Sequence, residues 1–480
     1  MTTELNMGPG AKSIPLVADC DGTLLRTDTL LEGVFCLLGQ KPLAALKLPW
    51  LARRGPLALK GYLAEYSLKN ADLFPVNSEV ALELEKARGQ GRKIYLASAA
   101  CRPVAEKVAA RFPFFSGVLA SEAGCNLKGA AKADRLVRKF GEKGFDYIGD
   151  SEADAPVWRA ARVALVASAD RRVQKTARQV NGNCRLLPAA SPALPEYLKL
   201  LRVHQWVKNL LLFLPLIMAH NFNLRALSLM LTAFLSFSFL ASGIYAINDL
   251  VDLAADRRHP TKCRRPLAAG DIPLRNGVVC LLVLLLSAAL PCLVLPWPYA
   301  VCLAVYLVCT VAYSTCLKSR LMLDVVVLSC LYVLRIIAGA VVIANSVSNW
   351  LLGFGVFLFL GLALLKRIGD IIQHETSGQL PGRAYYGTDK GILEGMAVAS
   401  GFSAMLVAAL YIDSLQAVQL YARPLTLWLF CPLFIYWYGR LLLITHRGGL
   451  GDDPVLYAAR DKNTWFCAAC GAVLLLGAAL

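Results

Sequence analysis

The stretch AINDLVDLAADRRHPTKCRRPLAAG, residues 246–270, leaves an apolar run and turns at once into charge. Residues 226–248 hold no charged side chain; then come Asp249, Asp252 and Asp256, followed by Arg257, Arg258, Lys262, Arg264 and Arg265. A helix turns about 100° per residue, so Asn248, Asp249, Asp252 and Asp256 are expected on one helical face. Carboxylates this close repel one another, and desolvation at a membrane surface adds to the cost. A divalent cation removes both penalties. Mg²⁺ suits hard oxygen ligands and typically binds through one or two carboxylates plus substrate phosphates. The basic residues that follow could grip a diphosphate. A solvated run of charge beside a membrane span is the plainer alternative, but it does not account for the helical spacing.

The rest of the chain supplies that membrane. Of 480 residues, 57% are hydrophobic, and the mean hydropathy is +0.52, too apolar for an ordinary soluble protein. Residues 1–195 have mixed charge and short apolar runs, whereas from about residue 209 onward the runs approach bilayer length. Nine spans are expected, near 208–222, 229–248, 277–296, 299–317, 323–344, 350–366, 391–412, 424–445 and 464–480. Connections at 249–276, 318–322, 367–390 and 446–463 carry most of the Lys and Arg, and the intervening ones only Arg225 and Arg423. The positive-inside rule then puts the N-terminus and residues 249–276 in the cytoplasm and the C-terminus outside. MTTELNMGPGAKS at the N-terminus lacks the basic start and apolar core of a signal peptide, which agrees with a cytoplasmic first domain. The formal charge of +17 gathers beside apolar runs, so anionic lipid heads and phosphate substrates are the expected partners, not nucleic acid. The fifteen cysteines are scattered, several within apolar runs, as small hydrophobes in a reducing compartment would be. The five histidines form no ligand pair.

A second charged segment is AYSTCLKSRLMLDVVVLSCLYVLRIIAGA, residues 312–340. Tyr313, Lys318 and Asp324 flank another cytoplasmic turn. Arg335 follows Asp324 by eleven residues, about 16 Å deeper along a helix. A buried arginine needs an anion or a cage of carbonyls, and both remain open from the sequence. Lys366 and Arg367, in LLKRIGD, read equally well as site residues or as topological charge.

The first domain has its own pattern. SIPLVADCDGTLL (13–25) is an apolar run ending abruptly in Asp19, Asp21, Gly22 and Thr23. Buried parallel strands read this way, and ligands bind beyond their carboxyl ends. GRKIYLASAA (91–100) carries Ser98, GFDYIGDSEAD (144–154) ends in Asp150 and Asp154, and VALVA (163–167) offers a further strand, with helical segments between. The result is an open α/β sheet. Its chemistry fits phosphoryl transfer through an aspartyl phosphate. Asp19 is the expected nucleophile and, with the Asp21 carbonyl and Asp150, a Mg²⁺ ligand; Asp154 supports the metal. The Asp21 side chain is the expected acid/base. Thr23, Ser98 and Lys132 fall on the substrate, the last two on phosphoryl oxygens.

Two resemblances follow from these residues. DxDGT, Ser, Lys and GDSxxD in this order resemble the haloacid dehalogenase (HAD) phosphatase superfamily over about residues 12–190, with the Leu-rich residues 29–78 similar to a small cap. NDxxDxxxD followed by KxxRP, residues 248–266, with the Tyr…Lys…Asp segment, resembles the UbiA superfamily of intramembrane prenyltransferases over about residues 197–480. LRVHQWVKN, DRRHPTKCRRPLAAG and YVLRIIAGA are similar to one branch, the polyprenyl-phosphate phosphoribosyltransferases of the decaprenylphosphoryl-5-phosphoribose synthase type. That resemblance implies phosphoribosyl diphosphate (PRPP) bound with Mg²⁺ at the acidic helix ends, attacked at its anomeric carbon by a polyprenyl phosphate. It puts Asn248, Asp249 and Asp252 on the first metal and its diphosphate, and Asp256 and Asp324 on a metal or the ribose. Lys262, Arg265 and Lys318 fall on phosphates, Tyr313 on substrate orientation, and Arg335 on an anionic ligand.

The expected architecture is an N-terminal α/β HAD-like Rossmannoid domain with a small helical cap (1–190), a linker (191–200), and an all-α UbiA-type bundle of nine transmembrane helices (201–480). The expected place is a bacterial inner membrane, with both sites on the cytoplasmic side and self-association left open. The expected function is phosphoribosyl transfer from PRPP to a polyprenyl phosphate, with the HAD domain removing the 5-phosphate of the lipid product. An aromatic prenyltransferase acting on an acceptor such as 4-hydroxybenzoate uses the same acidic logic and is the alternative. A transporter is disfavoured, because nearly all acids lie at helix ends rather than at the bilayer midplane.

Overall fold

The structure, a computed structural model, describes residues 14–122, 125–220, 222–344, 348–374, 378–380, 382–451 and 453–480. It divides into two compact units, one running to Leu201 and including Tyr245–Leu281, the other comprising Arg202–Ile244 and Leu282–Leu480.

The first unit is built on six parallel strands: β1 (Leu16–Asp19), β2 (Ile94–Cys101), β3 (Phe115–Ser121), β4 (Asp146–Gly149), β5 (Ala164–Val166) and β6 (Cys184–Leu186). Their order in the sheet is β3-β2-β1-β4-β5-β6. Side chains alternate between the two faces with period two. Leu16, Ala18, Leu96 and Ile148 enter one core, and Val17, Ala97, Tyr147 and Trp158 the other. Both faces are therefore covered, and the strands read as continuous apolar runs. Strand order reverses direction at β1, which puts the crevice for a ligand at the carboxyl ends of β1 and β4.

The chain leaves β1 into a helical cap. Asp28 caps the helix Thr29–Gln40, its Oδ1 accepting the N–H groups of Leu30 and Leu31 at 3.0 and 3.2 Å. The helix Pro56–Leu68 packs against it through Leu37, Leu63 and Tyr66. Leu31 and Phe35 of the cap also pack with Leu250, Leu253 and Leu267 from the segment Tyr245–Leu281. An ion pair of Arg257 with Glu32, at 2.6 Å with both side chains 5% exposed, fixes that packing. Gly270, at φ +77°, turns the segment where a Cβ would meet Arg26 and Pro75 at 2.8 and 2.9 Å.

In the second unit the helices are apolar on most faces, as membrane spans are. Among the described residues, eight helices are long and apolar enough to cross a bilayer: Leu224–Val251, Leu274–Leu293, Trp297–Thr315, Leu323–Val342, Asn349–His374, Gly387–Ile412, Pro424–His446 and Lys462–Ala479. The first and second of these each begin or end in the first unit. The protein is an integral membrane protein. The segment expected at 208–222 as the first of nine spans takes the form of a 3₁₀ helix, Val203–Phe213, followed by the short α-helix Leu214–Met218. A 3₁₀ helix rises about 2.0 Å per residue, so these residues together reach roughly 30 Å despite their number. The segment lies close against the span Leu323–Val342: a Cβ on Gly339 would stand 2.0 Å from the Leu212 carbonyl oxygen.

Candidate active sites

The first candidate lies beyond β1 and β4. Asp19 ends β1, and its Oδ1 accepts the Lys132 Nζ–H and the Cys20 N–H, both at 2.8 Å. Lys132, buried on the helix Ala130–Phe140, also donates to the Tyr147 hydroxyl at 3.0 Å and stands 3.7 Å from Asp154. Tyr147 in turn donates to Asp154 at 2.9 Å. Thr23 donates to Asp150 at 2.8 Å. Ser98 is fully buried in β2, where its Oγ accepts the Ala100 N–H. Asp21 points toward the cap, its oxygens accepting the Thr29 N–H and hydroxyl at 2.9 and 3.2 Å.

Asp19, Asp150 and Asp154 bring one ligand atom each to within 4.8 Å of one another, alone among the described residues. Gly22, at φ +78°, makes room for them: a Cβ there would meet Asp150 Oδ2 at 2.4 Å. The donor set, three carboxylates around one point, fits a hard divalent cation such as Mg²⁺. Burial raises Asp19 to about 6, against the pull of Lys132 and with a push from Asp154. Burial and the charge of Asp19 raise Asp150 to about 7. Asp21 rises to about 7 through burial and the nearby Asp28. Burial works to lower Lys132, but Asp19 and Asp154 outweigh it and leave it raised.

An acid whose folded-state value is raised keeps its proton longer in the folded protein. Its contribution to stability is complete below the unfolded value of 3.8 and is lost as pH rises through about 6 to 7. A cation that replaces those protons stabilises more as they leave. Millimolar Mg²⁺ is therefore expected to raise the melting temperature of this α/β domain more at about pH 8 than at about pH 5.5, with protons released on binding. Scanning calorimetry at the two pH values checks this.

Around these residues lies a cavity of about 380 Å³, within the usual range for small-molecule sites. Asp19, Asp21 and Lys132 form its floor, Lys60 and Ser67 come from the cap, and Arg275 comes from the first turn of the span Leu274–Leu293. Arg275 is held by Asp28 at 2.7 Å, and Lys60 by the Ala99 carbonyl and Asn126 at 2.6 and 2.8 Å. None of Lys60, Tyr147 or Arg275 stood out in the sequence.

The second candidate is the acidic helix end. The four residues fall where a membrane span gives way to a short helix. The span ends at Val251 and a new helix begins at Leu253, although backbone bonds from Asp252 to Asn248 and from Asp256 to Asp252 keep the chain winding. At this joint Asp252 is exposed, while Asp249 and Asp256 stay buried. Arg265 Nη1 bridges those two, at 3.0 Å to Asp249 and 2.7 Å to Asp256. Burial raises Asp256 even against Arg265. Arg265 thus pairs with two of the three acids, and no group of three ligating carboxylates forms here among the described residues. Lys262 is exposed. Asp252 and Arg258 line a cavity of about 230 Å³ with Glu32 and Asn70 of the cap.

The second unit holds the remaining residues. Asp324 is fully buried, with Arg367 Nε at 3.0 Å and the Tyr385 hydroxyl donating at 2.5 Å. Arg367 also pairs with Asp370 at 2.5 Å. Arg383 donates to the Tyr313 hydroxyl and to the Lys318 carbonyl, at 3.0 and 3.1 Å. Arg335 donates to Asn209, the Leu331 carbonyl and the Tyr306 hydroxyl, and the faces of Phe237, Tyr306 and Tyr332 surround its guanidinium. Among the described residues this cage contains no carboxylate, which answers how the membrane holds that arginine. Lys208 and Asp453 form a further buried pair at 2.5 Å, joined by Lys366 at 3.8 Å.

Residues 210–458, just over half of the chain, match the UbiA prenyltransferase family, and residues 16–159 match the haloacid dehalogenase-like hydrolases. The chain is 35% identical over 468 residues to the uncharacterized protein y4nM of Sinorhizobium fredii, covering 95% of this chain and 90% of that one. It is 36% identical over 186 residues to decaprenyl-phosphate phosphoribosyltransferase of Corynebacterium glutamicum, covering 38% of this chain and 56% of that enzyme. A UbiA homologue of Archaeoglobus fulgidus, solved bound to DMAPP and Mg²⁺, is similar over 58% of this chain and 99% of its own, with a TM-score of 0.44 and 16% identity. The chain belongs to the UbiA prenyltransferase family and carries a HAD hydrolase domain ahead of its membrane helices.

Proposed function

We propose that this protein transfers 5-phosphoribosyl from PRPP to a polyprenyl phosphate and that its HAD domain then removes the 5-phosphate of the lipid product. The observation that carries the first step is the identity to decaprenyl-phosphate phosphoribosyltransferase, joined to the acidic and basic residues 248–266. In the transfer, an oxygen of the lipid phosphate forms a bond to the anomeric carbon as the bond to the diphosphate breaks and pyrophosphate leaves. Positive charge develops on the sugar and negative charge on the leaving group, so stabilisation is electrostatic. Lys262 and Arg265 offer cations to the diphosphate. Asp249 and Asp256 hold Arg265 in place. Asp252, exposed at the helix joint, would hold a magnesium ion that comes with the diphosphate as part of the substrate. Tyr313, Lys318, Asp324 and Arg335 are assigned to substrate binding, the buried Asp324 and Arg335 by shaping it rather than by open contact.

In the phosphatase step, Asp19 attacks phosphorus, and the phosphoryl group passes to its carboxylate as the sugar oxygen departs. Asp21, raised to about 7 and fixed by Thr29, donates the proton that oxygen needs and later draws one from water. Lys132 holds Asp19 in place and faces the phosphoryl oxygens with Thr23 and Ser98 behind them. Mg²⁺ held by Asp19, Asp150 and Asp154 would supply Lewis-acid neutralisation of those oxygens. A phosphatase on the same chain meets the transferase product at raised effective concentration. We place the protein in a bacterial inner membrane with the HAD domain and residues 249–276 on the cytoplasmic side.

The discriminating experiment offers the purified protein labelled PRPP with a polyprenyl phosphate, or an isoprenyl diphosphate with 4-hydroxybenzoate. Label entering lipid only from PRPP is the expected result. Label entering only the aromatic acceptor overturns the reading.

A further inference from the structure

We infer that the outer side of the HAD cap, residues 41–54, is a docking surface for anionic lipid headgroups. The sequence there is KPLAALKLPWLARR, four cations and no acid. It forms a 3₁₀ helix, Pro42–Lys47, followed by a short α-helix, Leu48–Arg53.

Three observations converge on a lipid surface. First, residues three apart eclipse in a 3₁₀ helix, so Leu43 and Leu46 stand on one side. They are 81% and 78% exposed, and Trp50 on the next helix is 51% exposed. Second, the opposite side is already used: Ala44, Ala45 and Leu48 pack onto the cap core of Leu37, Leu63 and Tyr66. The outward leucines therefore belong to no core of their own unit, and a contiguous apolar face of this kind marks an interaction site. Third, the charge around that face has one sign. Lys41, Lys47, Arg53 and Arg54 are exposed, and the Arg54 guanidinium lies 3.8 Å above the Trp50 ring.

Leucine and tryptophan on one side with lysine and arginine around them is the composition of an interfacial helix. The apolar side chains enter the boundary between headgroups and acyl chains, Trp sits at headgroup level, and the cations meet lipid phosphates. A protein partner of acidic surface would meet the cations but would not need three large apolar side chains standing clear. The chain is anchored in a bilayer by its own spans, so lipid is present at high local concentration and even a weak interfacial contact is occupied. The cap also contributes Lys60 and Ser67 to the phosphatase cavity. Docking it on the membrane holds the cap beside lipid-borne substrates. The docking itself does not depend on which substrate is used.

The test uses the full-length protein in nanodiscs whose lipids carry bromine on the acyl chains near the headgroup. Trp50 is one of eight tryptophans, so wild type is compared with Trp50→Phe. The expected result is a quenched component present in wild type and lost in Trp50→Phe, strong with anionic lipid and weakened several-fold by Lys47→Gln/Arg53→Gln/Arg54→Gln. Hydrolysis of p-nitrophenyl phosphate, unchanged in both variants, shows that the domain remains folded. Equal quenching in wild type and Trp50→Phe overturns the proposal. Protection of Trp50 from aqueous acrylamide that depends on protein concentration and not on lipid also overturns it, by showing a second copy on this face.

Discussion

Asp19→Asn is expected to lower p-nitrophenyl phosphate hydrolysis about a thousand-fold or more while leaving phosphoribosyl transfer at the wild-type rate. The amide keeps the size of the carboxylate but cannot accept the phosphoryl group, and losses of that order follow removal of a nucleophile. The effect on folding runs the other way. The surroundings of Asp19 disfavour its charge on balance, since burial and Asp154 outweigh Lys132 and raise it to about 6. A neutral side chain relieves that cost above this pH. Lys132 keeps Asp154 at 3.7 Å and the Tyr147 hydroxyl at 3.0 Å. The metal-free variant should therefore melt no lower than wild type, as when an active site gives up function for stability. Rates of hydrolysis and of PRPP-dependent lipid labelling, with melting curves, check the three parts. Retained hydrolysis with lost stability would mean that Asp19 is structural.

Asp252→Asn is expected to lower transfer from PRPP by about a hundred-fold or more, with hydrolysis of p-nitrophenyl phosphate and the melting temperature unchanged. Of the three acids, Asp252 alone is exposed, and its side chain makes no capping bond to the helix that follows it. The substitution thus removes charge and little else. A group that meets the diphosphate and its magnesium acts where negative charge grows in the transition state, and the loss of one such group has this size. Asp249→Asn is a poorer probe. It also removes one of the two carboxylates on Arg265 Nη1, so a loss of activity there mixes chemistry with a loosened ion pair. The measurement is kcat/KM for PRPP in both variants. Full activity in Asp252→Asn would move the site away from this carboxylate.

How much of this could be read from the sequence depends on whether chemistry or geometry chose the residue. The HAD constellation was legible because its residues follow in a fixed order, each at the end of an apolar run, and β1, β2 and β4 carry Asp19, Ser98 and, just beyond, Asp150. Tyr147 was not. A tyrosine inside a buried strand reads as core, and only the fold shows its hydroxyl between Lys132 and Asp154. Glu32 and Arg257 are separated by 225 residues, and no local pattern announces such a pair. The acidic stretch is legible as a charged helix end, but the break in the helix at Asp252 and the Arg265 bridge between Asp249 and Asp256 are not, because they depend on packing. The segment Val203–Met218 is legible by its apolarity, whereas its 3₁₀ form is not. Arg335 left two answers open. The aromatic and carbonyl cage around it comes from residues of four separate elements, visible only once they are packed.

Mass spectrometry of the lipid products shows whether one chain performs both reactions in sequence. Wild type and Asp19→Asn are incubated with PRPP, Mg²⁺ and a polyprenyl phosphate. The expected products are polyprenylphosphoryl-ribose from wild type and polyprenylphosphoryl-ribose 5-phosphate from the variant. The same product from both proteins, with or without the 5-phosphate, would contradict the coupling, and no ribosylated lipid from either would contradict the transfer itself.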